Sequence, residues 1–317
     1  MVWLMASLGL VILLLAGDAL VKGAVNLSLR MGIPALIVSL TIVAFGTSAP
    51  ELLIAVNAIS DGKPGLALGN VVGSNTANIL LVLGLPALFA TLHTSECNTR
   101  KTYLFMMGAT GLFIAMAFQG TFTATSGLIL LGVLSFILMD AFREAGRHRR
   151  DAAARAEDEE EEVEGADPDM PWWRIILFLL LGLVGLPLGA DLLVHNASII
   201  ARNYGVSDTV IGLTLVALGT SLPELATTVM AAIRRQADVA LGNVIGSNMF
   251  NLLAIIGIAT LVGPIPVDPE FLQFDLWVML GASVMLVPFV FFKRDITRPW
   301  GILLTALYLF YIVIVLI

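Results

Sequence analysis

The chain is 317 residues long, 58% hydrophobic and only 13% charged, with a mean hydropathy of +0.94. That balance excludes a soluble domain of this length and describes an integral membrane protein. The net charge of −7 mainly reports one segment, since nine of the 24 acids lie between Glu157 and Asp169, so it does not mark a charged partner surface. The single cysteine, Cys97, excludes an intrachain disulfide, and His93, His148 and His195 are too scattered for a transition-metal site.

In chain order, apolar runs able to cross about 30 Å of hydrocarbon fall at residues 2–28, 33–60, 66–91, 103–119 and 123–142. A polar stretch, first Arg-rich and then Glu-rich, follows from Arg143 to Asp169, and five more runs fall at 172–202, 207–233, 239–262, 272–292 and 299–317. The first run is not read as a secretory signal. No basic segment precedes it, and the surroundings of Asp18 match those of Asp191 further along the chain.

Lys and Arg in the connections set the orientation. With the N-terminus outside, 15 of the 17 face the cytoplasm and only Lys63 and Arg202 lie opposite. Both termini are then extracytoplasmic and Cys97 faces the reducing side. The acidic run Glu157 to Glu162 reads as a disordered, solvated linker.

One pattern occurs twice. Gly46-Thr47-Ser48-Ala49-Pro50-Glu51 and Gly69-Asn70-Val71-Val72-Gly73-Ser74-Asn75 return as Gly219-Thr220-Ser221-Leu222-Pro223-Glu224 and Gly242-Asn243-Val244-Ile245-Gly246-Ser247-Asn248, at a constant offset of 173 residues. From Gly46 to Gly84 about half the positions match, and the matches include polar residues that packing alone would not preserve. Five crossings per half make the second copy enter the membrane from the other side. The expected fold is therefore an all-α polytopic membrane protein of ten transmembrane helices, built as two inverted five-helix repeats at 1–142 and 172–317 joined by an acidic cytoplasmic linker at 143–171.

Each copy places a carboxylate in apolar sequence, where an unpaired charge costs roughly 3 kcal/mol or more. Pro50 and Pro223 remove a backbone donor, so the helices should kink or break at 46–50 and 219–223 and release carbonyls at Gly46 and Gly219 or their neighbours Ala44 and Ala217. Released carbonyls at membrane depth are tolerated where they line a cavity or bind an ion. Thr47 and Glu51 share a helix face, as do Thr220 and Glu224; Ser74 with Asn78 and Ser247 with Asn251 do the same on the next helix. The Gly69/Gly73 and Gly242/Gly246 pairs let that helix approach its neighbour closely.

All these donors are oxygens, which suits hard cations such as Ca2+ rather than zinc or copper. Two ionised glutamates balance one Ca2+, and Na+ can use the hydroxyls and carbonyls around the same acids. Taken singly, a Ser or Thr in a membrane helix is more often bonded to its own backbone, and Gly-x-x-x-Gly is usually packing. Asp18 and Asp191 fit an ion path and a structural hydrogen bond equally well, while Asp140 and His195 read as interfacial or packing residues.

With both motifs on the page, the chain resembles the cation/calcium antiporter superfamily, in particular its sodium/calcium exchanger branch, along nearly its whole length. The resemblance implies a central set of ion sites between the second, third, seventh and eighth helices, across which the first and sixth helices slide. It implies that Glu51 and Glu224 bind Ca2+ with Thr47 and Thr220, and that Ser48, Ser74, Ser221, Ser247 and the carbonyls of Ala44 and Ala217 hold Na+. One departure concerns Asn78 and Asn251: well-known exchangers of this branch carry an aspartate at one or both of these positions, and here both are neutral.

The sequence thus predicts a secondary active antiporter, not an enzyme, exchanging Ca2+ for Na+ by alternating access in the inner membrane of a prokaryotic cell. Its substrates are Ca2+ and Na+ and its surroundings the lipid bilayer; no cofactor, nucleic acid or protein partner is implied. Coupling to H+, or to Na+ with K+, is the nearest alternative. A membrane hydrolase using Glu51 and Glu224 as acid and base lacks a nucleophile, and a passive channel would be slowed by two central carboxylates.

Overall fold

The computed structural model describes residues 1–154, 167, 169–206 and 217–316. Helix α1 (Val2–Met31) ends on Gly32, whose φ of 65° lets Ile33 N–H reach back to Ser28 O at 3.0 Å. Helices α2 (Ala35–Thr47) and α3 (Ala49–Ser60) are bent 42° apart at Ser48. They are followed by α4 (Pro64–Ala87), α5 (Arg100–Ala117) and α6 (Ala124–Ala154).

The second half holds α7 (Trp172–Asn203), the short α8 (Ala217–Gly219), α9 (Leu222–Ile233), α10 (Ala237–Val262), α11 (Phe271–Phe291) and α12 (Arg298–Leu316). Among the described residues seven helices are long and apolar enough to cross a membrane, and eight if α2 and α3 form one span. Of the ten expected crossings, α5 falls outside this set, and residues 207–216 of the seventh lie outside the described residues.

Helix α6 continues to Ala154 instead of ending at 142, because the Ala, Arg and Glu that follow are strong helix formers. The expected solvated linker at Glu157 to Glu162 lies outside the described residues. Lys101 ties α5 to α6 through ion pairs with Asp140 and, at 2.8 Å, Glu144. Asp140, expected to be an interfacial or packing residue, thus links two helices.

Contacts recur at the 173-residue offset. Strands β1 (Thr121–Phe122) and β2 (Ile265–Pro266) pair antiparallel, with Phe122 opposite Ile265; Leu92, 173 residues before Ile265, bridges to Ile296, 174 residues after Phe122, so this pairing recurs to within one residue. The turn after α3 uses Gly62 at φ 72°, and the turn after α9 uses Arg235 at φ 55° in the same place. There Lys63 N–H returns to Ala58 O and Gln236 N–H to Ala231 O.

Helices α1 and α7 pack along their length through small residues. A Cβ on Gly9 would lie 2.6 Å from Leu193 N, and one on its counterpart Gly182 2.5 Å from Leu20 Cβ, so neither site has room for a side chain. The outer faces of this pair expose Trp3, Leu15, Leu180 and Leu188, as an apolar solvent requires. Helix α10 is almost wholly buried at the centre, where it packs on α2, α5 and α9. The doubled motif therefore sits in the interior, away from the surrounding solvent.

Candidate functional site

The breaks fall at Ser48 and Ser221, whose backbones leave the helical region at φ −87° with ψ 4° and 2°. Pro50 and Pro223 then occupy the second position of α3 and α9, where a missing N–H costs no helical bond. Glu51 and Glu224 follow in the first turn, each 1% exposed, at helix ends that favour negative charge.

One expectation is corrected. The carbonyl of Ala44 is not released: it accepts from Ser48 N–H at 3.1 Å and from Thr47 Oγ1 at 3.3 Å. The break begins after Ser48, so the last turn of α2 still closes on Ala44. In the second half Ser221 N–H goes to Leu218 O at 3.0 Å.

The two motif copies meet. Ser48 Oγ donates to Glu224 Oε1 at 3.2 Å, and the hydroxyls of Thr47 and Ser247 also face this carboxylate. Thr47 Oγ1 reaches Asn243 Oδ1 at 3.2 Å and Ser247 Oγ at 3.4 Å; its counterpart Thr220 reaches Asn70 Oδ1 at 3.5 Å. The charge of Glu51 is opposed by that of Glu224. Ser74, Ser247, Asn78 and Asn251 are all buried on α4 and α10. Both helices turn wide there, at Asn78–Val82 and Phe250–Ile255; the first of these segments packs on α9 and the second on α3.

Among the described residues, Glu51 Oε2, Glu224 Oε2, Asn78 Oδ1, Asn251 Oδ1 and Ser221 Oγ are buried with no hydrogen-bond partner. All five can accept, and four of them can only accept. A buried polar atom left unpaired costs about 1–3 kcal/mol, so this concentration of lone pairs suits a dehydrated cation and nothing apolar.

Four further asparagines belong to the network and were given no role by sequence reasoning: Asn70, Asn75, Asn243 and Asn248. Their signal was their exact recurrence inside the doubled motif. Asp18, by contrast, is held by Lys22 at 3.0 Å and Arg234 at 2.5 Å, outside the hydroxyl and carboxylate network, and Asp191 and His195 are exposed. Burial, with Asp238 nearby, pushes the Cys97 thiol far above its usual range, so it is no nucleophile.

A bundle of membrane helices around a buried centre of two carboxylates, hydroxyls and amide oxygens defines a cation transporter. The family described as "Sodium/calcium exchanger protein" matches residues 1–142 and 174–317, and the chain belongs to that family of cation/Ca2+ antiporters. CaxA of Alkalimonas amylolytica is 36% identical over 280 residues, 88% of this chain and 86% of CaxA. The sodium/calcium exchanger MaX1 of Methanosarcina acetivorans is 32% identical over 98% of this chain and 97% of its own. A solved structure of the sodium-calcium exchanger NCX_Mj, soaked with 2.5 mM Na+ and 10 mM Sr2+, superposes with a TM-score of 0.82 at 31% identity, over 99% of both chains.

Proposed function

We propose that this protein is a secondary active antiporter exchanging Ca2+ for Na+ by alternating access. The reading extends to ten crossings in two inverted five-helix repeats, both termini extracytoplasmic, in the inner membrane of a prokaryotic cell. The observation that carries it is the set of unpaired acceptors around Glu51 and Glu224. Ca2+ takes six to eight oxygens in flexible geometry, and the two glutamates neutralise it, with Thr47 and Thr220 completing its shell. Na+ takes Ser48, Ser74, Ser221, Ser247, the carbonyl of Ala44 once the Thr47 hydroxyl turns away from it, and the carbonyl of Ala217.

Coupling follows from shared ligands. The oxygens around Glu51 and Glu224 serve both ions, so Ca2+ and Na+ compete for them and occupation by one disfavours the other. The turn contacts that recur at the 173-residue offset support an inverted repeat, in which sliding of α1 and α7 exposes the centre to either side.

The test is Ca2+ uptake into proteoliposomes with an outward gradient of Na+, K+ or H+ imposed in turn. The proposal expects uptake with Na+ alone to exceed the other arms. Uptake that is equal without any gradient overturns antiport, and uptake driven only by H+ overturns the choice of Na+.

A further inference from the structure

Asn75, Asn78, Asn248 and Asn251 are each no more than 2% exposed and form a closed group. Main-chain carbonyls set the direction of Asn75 and Asn248, and through them that of Asn78 and Asn251. A main-chain carbonyl only accepts, so Asn248 must turn Nδ2 toward Asn75 O, at 3.3 Å, and its Oδ1 the other way. That oxygen also only accepts, so Asn78 must present Nδ2 to it, at 3.0 Å, which leaves Asn78 Oδ1 on the far side. The other half repeats the logic: Asn75 Nδ2 donates to Asn248 O at 3.3 Å, and Asn251 Nδ2 to Asn75 Oδ1 at 3.0 Å. Both displaced oxygens, Asn78 Oδ1 and Asn251 Oδ1, are buried and unpaired.

We infer that Asn75 and Asn248 are positioning residues that turn the side-chain oxygens of Asn251 and Asn78 out toward the cation and exclude an ionised carboxylate from those two positions. The inference rests on the ion-site reading above. In Asn251→Asp an ionised carboxylate would set an acceptor against Asn75 Oδ1, and only the protonated acid could donate to it. The clamp thus confines the formal charge of the centre to Glu51 and Glu224.

Equilibrium Ca2+ binding to the purified full-length chain tests this, comparing wild type, Asn251→Asp and Asn75→Ala/Asn251→Asp from about pH 6 to about pH 9. The clamp predicts that Asn251→Asp binds Ca2+ like wild type at the acid end and roughly fivefold or more tightly at the alkaline end, as a third charge appears. Removing Asn75 removes the acceptor that favours the protonated acid, so in the double variant the divergence starts about one pH unit lower. A ratio to wild type that is flat with pH overturns the inference, as does a divergence at the same or higher pH in the double variant. Asn78→Asp and Asn248→Ala/Asn78→Asp give the same comparison in the other half if the first set does not fold. Equilibrium binding needs no counter-ion, so absent Na+-driven uptake defeats the exchange reading alone, whereas a flat ratio defeats only the clamp.

Discussion

Ser48 donates its hydroxyl to Glu224 at 3.2 Å across the two halves, while Ser221, its counterpart 173 residues on, leaves its Oγ unpaired. The two serines are equivalent in sequence and unequal in bonding. Glu224 is therefore the better-held carboxylate and Glu51 the one with fewer donors.

Ser48→Ala should accordingly perturb exchange more than Ser221→Ala. A hydrogen bond to a charged group contributes about 1.5–3 kcal/mol, so Ser48→Ala is expected to change the half-saturating Na+ concentration by about tenfold, and Ser221→Ala by less. Initial uptake rates across a Na+ titration measure both. Equal effects would show that the asymmetry has no energetic weight.

The close crossing of α10 on α2 predicts a steric cost. A Cβ on Gly246 would sit 2.6 Å from both Leu40 O and Ala44 Cβ, so Gly246→Ala should lose about 1–3 kcal/mol of stability. Gly132 on α6 has nothing within 4 Å of the same atom, and Gly132→Ala should be neutral or stabilising through helix propensity. Thermal unfolding in detergent separates the two, with a lowered Tm for Gly246→Ala only.

Much of this centre is legible in the sequence because its parts are local. Pro50 and Pro223 mark the breaks, and a carboxylate in an apolar run announces burial; the single helix face expected of Thr47 and Glu51 is lost because the break at Ser48 falls between them, and Thr47 faces Glu224 instead. The hidden parts depend on distance along the chain. Asn75 and Asn251 are 176 residues apart and Asp18 and Arg234 are 216 apart, so no spacing rule pairs them. The extent of α6 was hidden for another reason: apolarity reports the membrane edge, whereas Ala, Arg and Glu carry a helix past it. The fate of the Ala44 carbonyl turned on whether the break fell before or after Ser48, a one-residue difference that the proline alone does not decide.

Asp18 serves as an anchor for α9 against α1. Its carboxylate pairs with Lys22 one turn on and with Arg234 at the end of α9. Asp18→Asn leaves Arg234 with a weaker partner in a half-buried place and should cost about 1–3 kcal/mol. Added salt should erase little of that cost, since a half-buried pair is weakly screened. Chemical unfolding at low and high ionic strength measures it. A loss that vanishes at high salt would make the pair a surface contact.

Glu51→Gln and Glu224→Gln each leave one charge to balance a divalent ion in a buried place, so Ca2+ transport should fall by about a hundredfold or more in either variant. Glutamine keeps the shape of the side chain, and the unfolding temperature should stay within a few degrees of wild type, about 1 kcal/mol or less. Uptake near the wild-type rate in either variant would remove that residue from the site.

The most direct measurement is anomalous diffraction from crystals of this protein soaked with Sr2+ as a stand-in for Ca2+, at low and then high Na+. The account predicts a single strong peak within bonding distance of both Glu51 and Glu224 that disappears as Na+ rises. A peak away from these two carboxylates, or one that persists at saturating Na+, would contradict a shared site.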